Sequence, residues 1–120
     1  MQTLLDTPHC QLTLYRYPRQ SQETLQAWDA ADEYLINTLA ESPLEQAGPV
    51  IIMNDGFGAL AAYLHPHSPY CVTDSYISER ATLANLAENG LDAGGITLQD
   101  ALAPLPNAPA LVVIKVSKYQ

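Results

Sequence analysis

Nothing in the chain narrows its possible folds as sharply as the passage from Val50-Ile51-Ile52-Met53 into Asn54-Asp55-Gly56-Phe57-Gly58. Four apolar residues, three of them β-branched, make a short strand suited to burial on both faces of a parallel sheet. The two glycines permit a tight turn. Ala59-Leu60-Ala61-Ala62-Tyr63-Leu64 then supplies good helix formers up to the stop at Pro66. A strand that turns directly into a helix opens a parallel crossover unit.

The alternation continues downstream. Tyr70-Cys71-Val72-Thr73 reads as the next strand, closed by Asp74, and the run over 78–89 carries Ala81, Leu83, Ala84 and Ala87 in a helical pattern that ends at Asn89-Gly90. Gly95-Ile96-Thr97-Leu98 is a weaker strand ending at Asp100. Pro104, Pro106 and Pro109 then break the connection to the last strand, Leu111-Val112-Val113-Ile114. Upstream, Cys10 to Tyr17 alternates polar and apolar residues as a strand does, and Pro18 ends it. Leu25, Trp28, Ala31, Leu35, Ile36 and Leu39 mark an amphipathic helix over 22–40, whose acids Asp29, Asp32 and Glu33 read as a solvated face.

The expected fold class is therefore α/β. A strand-and-helix extension over 1–48 precedes, over 49–120, the first half of a Rossmann-like parallel sheet with helical crossovers. A doubly wound sheet has a second half across its switch point, and this chain stops just after the fourth parallel strand. The 120 residues thus read as a piece of a longer domain. Its last strand reads as an open edge through which the piece self-associates or is left marginally stable.

Composition sets limits on the function. Thirteen acidic against five basic residues, a net charge of −8, argue against a general nucleic-acid binder, because phosphate affinity comes mainly from Lys and Arg. Any RNA contact has to be local. Cys10 and Cys71 form no CxxC pair and read as reduced thiols. The N-terminus lacks the basic region and apolar core of a signal peptide, and no apolar run approaches the ~18 residues of a membrane span. The expected location is the cytoplasm, with no membrane partner.

The glycine turn is where ligand chemistry would sit. Gly56-x-Gly58-x-x-Ala61 at a strand-to-helix junction gives a ligand close backbone approach and free N–H groups, and Asp74 after the next strand can accept from ribose hydroxyls. The same residues equally make a tight turn and a helix cap, and the residues alone leave both readings open. A nicotinamide-binding version fits least, since Asp74 stands nearer the glycines than the usual ~20 residues. His65, His67 and Cys71, taken with His9 and Cys10, have metal-ligand chemistry, but loop histidines of this kind usually serve as plain polar residues.

Five strings taken together resemble the N-terminal domain of the large-subunit ribosomal RNA guanine-N2 methyltransferases, the methyltransferase G family. They are Leu25-Gln-Ala-Trp28-Asp-Ala-Ala-Asp-Glu-Tyr34-Leu, Asn54-Asp-Gly-Phe-Gly58-Ala-Leu, Asp74-Ser-Tyr-Ile-Ser78, Asn85-Leu-Ala-Glu-Asn-Gly90 and Val113-Ile-Lys115-Val-Ser-Lys118. The resemblance covers essentially the whole chain. It implies two tandem methyltransferase-like domains, with the working S-adenosylmethionine site in the C-terminal one. The N-terminal copy is then degenerate and serves RNA binding or scaffolding of its catalytic partner.

The residues agree with degeneracy. An active domain of this class places an acid two residues before the first of three alternating glycines; aligned on Gly56 and Gly58, those positions hold Ile52 and Asn54. Asp55, Gly56, Gly58, Asp74 and Asp100 remain as the candidate cofactor-binding set, the last two matching the acids that meet ribose and adenine. The Asn-Pro-Pro-aromatic motif that holds a target amine is replaced by Lys115-Val116-Ser117-Lys118, so no catalytic residue is expected. Four of the five basic residues lie outside 20–114. Tyr15, Arg16, Tyr17, Arg19, Lys115 and Lys118 are accordingly the candidate face for ribosomal RNA or for the catalytic domain. The alternative function is a binding domain that still holds S-adenosylmethionine or another adenosine ligand.

Overall fold

The computed structural model describes residues 3–17, 27–41 and 48–115. At its centre are four parallel strands: β3 (Val50–Met53), β4 (Tyr70–Val72), β5 (Thr97–Gln99) and β6 (Leu111–Ile114), in the order β5-β4-β3-β6. Helix α2 (Ala59–Tyr63) links β3 to β4 and α3 (Tyr76–Glu88) links β4 to β5. The chain then crosses back over two strands to place β6 on the free side of β3. That reversal is the switch point of a Rossmann-like half sheet, and the crevice it opens lies beyond the C-terminal ends of β3 and β6.

The pleat sorts the sheet into two faces. Val50, Ile52, Cys71 and Val113 belong to one buried cluster with Ala59 to Ala62 of α2 and Leu86 of α3. On the other face the register aligns Ile51 with Val112 and Met53 with Ile114. The connection returning from β5 to β6 runs in the opposite direction across the sheet. A right-handed crossover then lies on this second face, and here it is the proline-broken 100–110 segment instead of a helix. Val112 and Ile114 are 44% and 54% exposed in consequence.

The N-terminal part departs from the sequence expectation. The expected strand over 10–17 is shorter, β2 (Gln11–Thr13), and it pairs antiparallel with β1 (Leu4–Asp6), which the sequence reading did not include. Three-residue strands with one inward side chain each, Leu5 and Leu12, carry too little alternation to be seen. Helix α1 (Ala30–Glu41) starts later than the apolar spacing implied; Trp28 is buried just ahead of it, and 22–26 fall outside the described residues. The cause is a reciprocal cap. The Asp32 amide donates to Asp29 Oδ1 at 3.0 Å and the Asp29 amide to Asp32 Oδ2 at 3.1 Å, which fixes Asp29 as the residue before the first turn.

Two asparagines four residues apart, Asn85 on α3 and Asn89 capping its C-terminus, dock the N-terminal segment onto the sheet domain. Asn85 accepts from the Tyr15 amide and donates to the Tyr15 and Phe57 carbonyls; Asn89 accepts from the Thr13 amide and donates to the Thr13 carbonyl. The helix thereby offers extended backbone the donor and acceptor pattern of a neighbouring strand. Leu5, Leu12 and Leu14 complete the packing by joining the same apolar cluster as Val50 and Leu60.

Candidate functional site

The glycine turn leaves β3 through Asn54, whose φ of 65° places it in the left-handed region while its amide donates to the Val72 carbonyl at 3.0 Å. Asparagine is among the few side chains that tolerate this conformation. Gly58 has φ 94°, and a Cβ there would come within 2.9 Å of the Thr82 Cα. Its smallness therefore serves the packing of α2 against α3. Gly56 differs: a Cβ would meet only the Lys115 Nζ, at 3.8 Å.

Lys115 follows the last residue of β6, its amide donating to the Met53 carbonyl at 3.0 Å. Its ammonium turns into the switch-point crevice, 3.0 Å from Asp32 Oδ2 and 3.2 Å from Asp29 Oδ2, with the side chain 17% exposed. Burial works against its charge, but Asp32 and Asp29 more than offset this and raise its pKa. Asp32 is 1% exposed, and burial drives its carboxyl upward despite the lysine. Asp29 is held below the ordinary carboxylate range; its modest desolvation is outweighed by the Asp32 amide and by Lys115. The expectation that these two acids form a solvated face is corrected for Asp32, which the cap turns inward.

The candidate cofactor residues separate into two groups. Asp55 is 6% exposed and caps α2, accepting from the Ala61 amide at 3.0 Å. Burial pushes its carboxyl up to about 6, and the Asp32 charge adds to the shift. Neither Asp55 Oδ1 nor Asp32 Oδ1 meets a donor among the described residues. Asp74 and Asp100, by contrast, are exposed at the ends of β4 and β5. Asp74 accepts from the Ala101 amide, and Asp100 from the Leu102 and Ala103 amides, so both organise the 100–103 turn.

The rim of the crevice carries the aromatic and basic residues. The Arg16 guanidinium lies over the Phe57 ring, 5.0 Å from its centroid, beside Trp28, Gly56 and Lys115. Tyr15 is pinned by Asn85 through its backbone, and Tyr17 stands exposed next to it. Arg19 and Lys118 lie outside the described residues. About 70 Å³ of open space is left among these groups.

Elsewhere, Cys71 is buried in β4 with its thiol pushed up to about 12 by desolvation, and His65 meets the Asp92 carbonyl at 2.7 Å. Of the metal-ligand candidates, His9, Cys10 and His67 share the lining of one depression while His65 and Cys71 are engaged elsewhere, and no three His, Cys, Asp or Glu side chains converge to hold a metal ion among the described residues. A larger, mostly apolar depression of about 440 Å³ lies by Leu39, Tyr63, Leu64 and Pro66, away from the glycine turn. No described helix is long and apolar enough to cross a membrane.

A comparison with protein families matches residues 2–120 to the one described as RLMG N-terminal domain. The chain belongs to this family. Within it, the chain is 88% identical over its full length to the ribosomal RNA large subunit methyltransferase G of Aeromonas salmonicida and 83% identical to that of Aeromonas hydrophila. It is 50% identical over 115 residues to that of Pectobacterium atrosepticum. It spans 32%, 32% and 30% of these relatives, about a third of each.

The crevice of this chain contains a cluster that the sequence did not reveal. Asp29-x-x-Asp32 has the spacing of a reciprocal cap, a cue that the solvated-face reading passed over, and nothing in the sequence pairs Asp32 with a lysine 83 positions away. Asn85 and Asn89 were visible only as a helix end, although two amides at i and i+4 on one face were a cue that the helix binds backbone.

Proposed function

We propose that the chain is the catalytically silent N-terminal domain of an S-adenosylmethionine-dependent ribosomal RNA guanine-N2 methyltransferase, positioning RNA and supporting a C-terminal catalytic domain on the same polypeptide in the cytoplasm. The observation that carries the reading is the filled crevice. Ligand pockets for molecules of this size run from about 300 to 1,000 Å³, and about 70 Å³ is open here, with the Lys115 ammonium seated over the Gly56 turn. Ile52, where an acid would meet the cofactor, is fully buried in the sheet. Lys115, in place of the amine-holding motif, turns inward to Asp32. The residues present do not fit S-adenosylmethionine.

For RNA, the rim supplies what an acidic chain must concentrate locally. Arg16 and Tyr17 flank backbone that Asn85 fixes, with Arg19 and Lys118 as further cationic candidates. Lys115 adds to this face through the shape it imposes on the crevice. Stacking on an aromatic ring and pairing of phosphate with arginine are the contacts such a rim can make with unpaired nucleotides.

Calorimetric titration of the chain with S-adenosylmethionine should give no binding heat. A dissociation constant in the micromolar range would favour the adenosine-binding alternative and overturn the silent-domain reading. In a full two-domain methyltransferase, Arg16→Ala and Tyr17→Ala should raise KM for ribosomal RNA several-fold and leave kcat unchanged, since these residues bind substrate away from the chemistry. An unchanged KM and salt dependence would remove the RNA role.

A further inference from the structure

We propose that the switch-point crevice is a recognition site for a primary ammonium group that the chain occupies itself: Lys115 acts as a tethered ligand, seated on Asp29 and Asp32 above the Gly56 turn. The proposal rests on the reading that no external cofactor fills this crevice, and it names what does.

Three independent observations support a built site. The first is geometry: the ammonium has two carboxylate oxygens at 3.0 and 3.2 Å, and Gly56 leaves it room on the third side. The second is preorganisation. Asp29 and Asp32 are each held by the other's backbone amide, so their carboxylates are oriented by bonds other than those to the ammonium. The third is an unused acceptor on one of the two carboxylates that hold the ammonium. Asp32 is more than nine-tenths buried, and its Oδ1 meets no donor among the described residues while its Oδ2 takes the ammonium. An ammonium has three donors, and Lys115 meets two carboxylate oxygens while a third, Asp32 Oδ1, stays unused on the same carboxylate.

The lysine stem passes between the end of β6 and the start of α1, so the ion pair also straps the strand next to the switch point to the first helix. Removing one partner of such a pair leaves an uncompensated buried charge. Lys115→Ala deletes four atoms beyond Cβ, three methylenes and the ammonium, which together are the size of propylammonium. The cavity left should therefore accept that cation in trans. Because a tethered group has an effective concentration of about millimolar or above, half-saturation is expected in the millimolar range.

The experiment is thermal unfolding of the chain and of Lys115→Ala in propylammonium chloride, with sodium chloride and tetramethylammonium chloride at equal ionic strength. The unaltered chain should respond alike to all three salts. Lys115→Ala should melt lower by several degrees and recover saturably with propylammonium alone, and Asp32→Asn added to it should abolish the recovery. If Lys115→Ala does not fold by itself, the same series is read as return of a dispersed amide NMR spectrum. Recovery specific to propylammonium supports the proposal; no recovery, or equal recovery with every salt, overturns it. A parallel titration of the unaltered chain with S-adenosylmethionine keeps the two readings apart. Binding there would overturn the silent-domain function, whereas the amine series alone decides the tethered-ligand site.

Discussion

Asp55 connects the glycine turn to the pH dependence of stability. Its pKa is about 6 in the folded chain against 3.8 for an ordinary aspartate. The folded state therefore binds more protons than the unfolded state between those values, and stability from this group falls as pH rises through 6. We expect the chain to gain up to about 3 kcal/mol on acidification from pH 7 to pH 4 through this group. Asp55→Asn, which keeps an acceptor for the Ala61 amide, should flatten that dependence in urea titrations at pH 7 and pH 5. The two glycines separate equally cleanly. Gly58→Ala forces φ 94° on a residue with a Cβ and drives it against the Thr82 backbone, which should cost about 2 kcal/mol or more. Gly56→Ala would meet only the Lys115 ammonium, at an ordinary van der Waals distance of 3.8 Å, and should cost well under that. The midpoints of chemical denaturation compare them directly. The sequence alone allowed either glycine to serve a ligand; only the approach of α3 distinguishes their roles.

At the scale of elements, the hairpin of β1 and β2 is held to α3 by side chains, and its order depends on them. Asn85→Ala deprives the Tyr15 amide and the Tyr15 and Phe57 carbonyls of a partner at once. At about 1 kcal/mol net per bond, this amounts to about 3 kcal/mol. Hydrogen exchange should show the Tyr15 and Thr13 amides losing protection before those of β3 and β4. Equal loss everywhere would mean that the hairpin and the sheet open as one unit. The parallel half was legible because its strands are short apolar runs followed by glycine, aspartate or a helix, as at Val50 to Gly58. The hairpin was not, since its three-residue strands carry one buried leucine each. The crevice was half legible: its backbone follows from Gly56 and Gly58, while its contents come from Asp32 and Lys115, which only the tertiary fold brings together.

For the whole molecule, β6 presents exposed apolar side chains at the edge of the described sheet. Val112 and Ile114 stand beside a free strand edge, an arrangement that favours pairing with another chain. Concentration-dependent association should therefore be seen in sedimentation of the chain, and Ile114→Glu should suppress it with little loss of thermal stability, the side chain being half exposed. A monomer at every concentration would show that net charge of −8 is enough to keep the copies apart.

The strand order β5-β4-β3-β6 also sets a timetable for synthesis. The central strand, β3, finds its first neighbour about twenty residues after it is made, but its second only when β6 emerges, about sixty residues later. At translation rates of about 5–20 residues per second, one edge of the sheet's most buried strand waits roughly 3 to 12 s for its partner. The lysine that latches the crevice comes immediately after that partner. A nascent chain halted short of residue 111 would hold an unlatched crevice and leave β3, the most buried strand, as an edge, which makes that interval the one in which a ribosome-bound chaperone has most to protect.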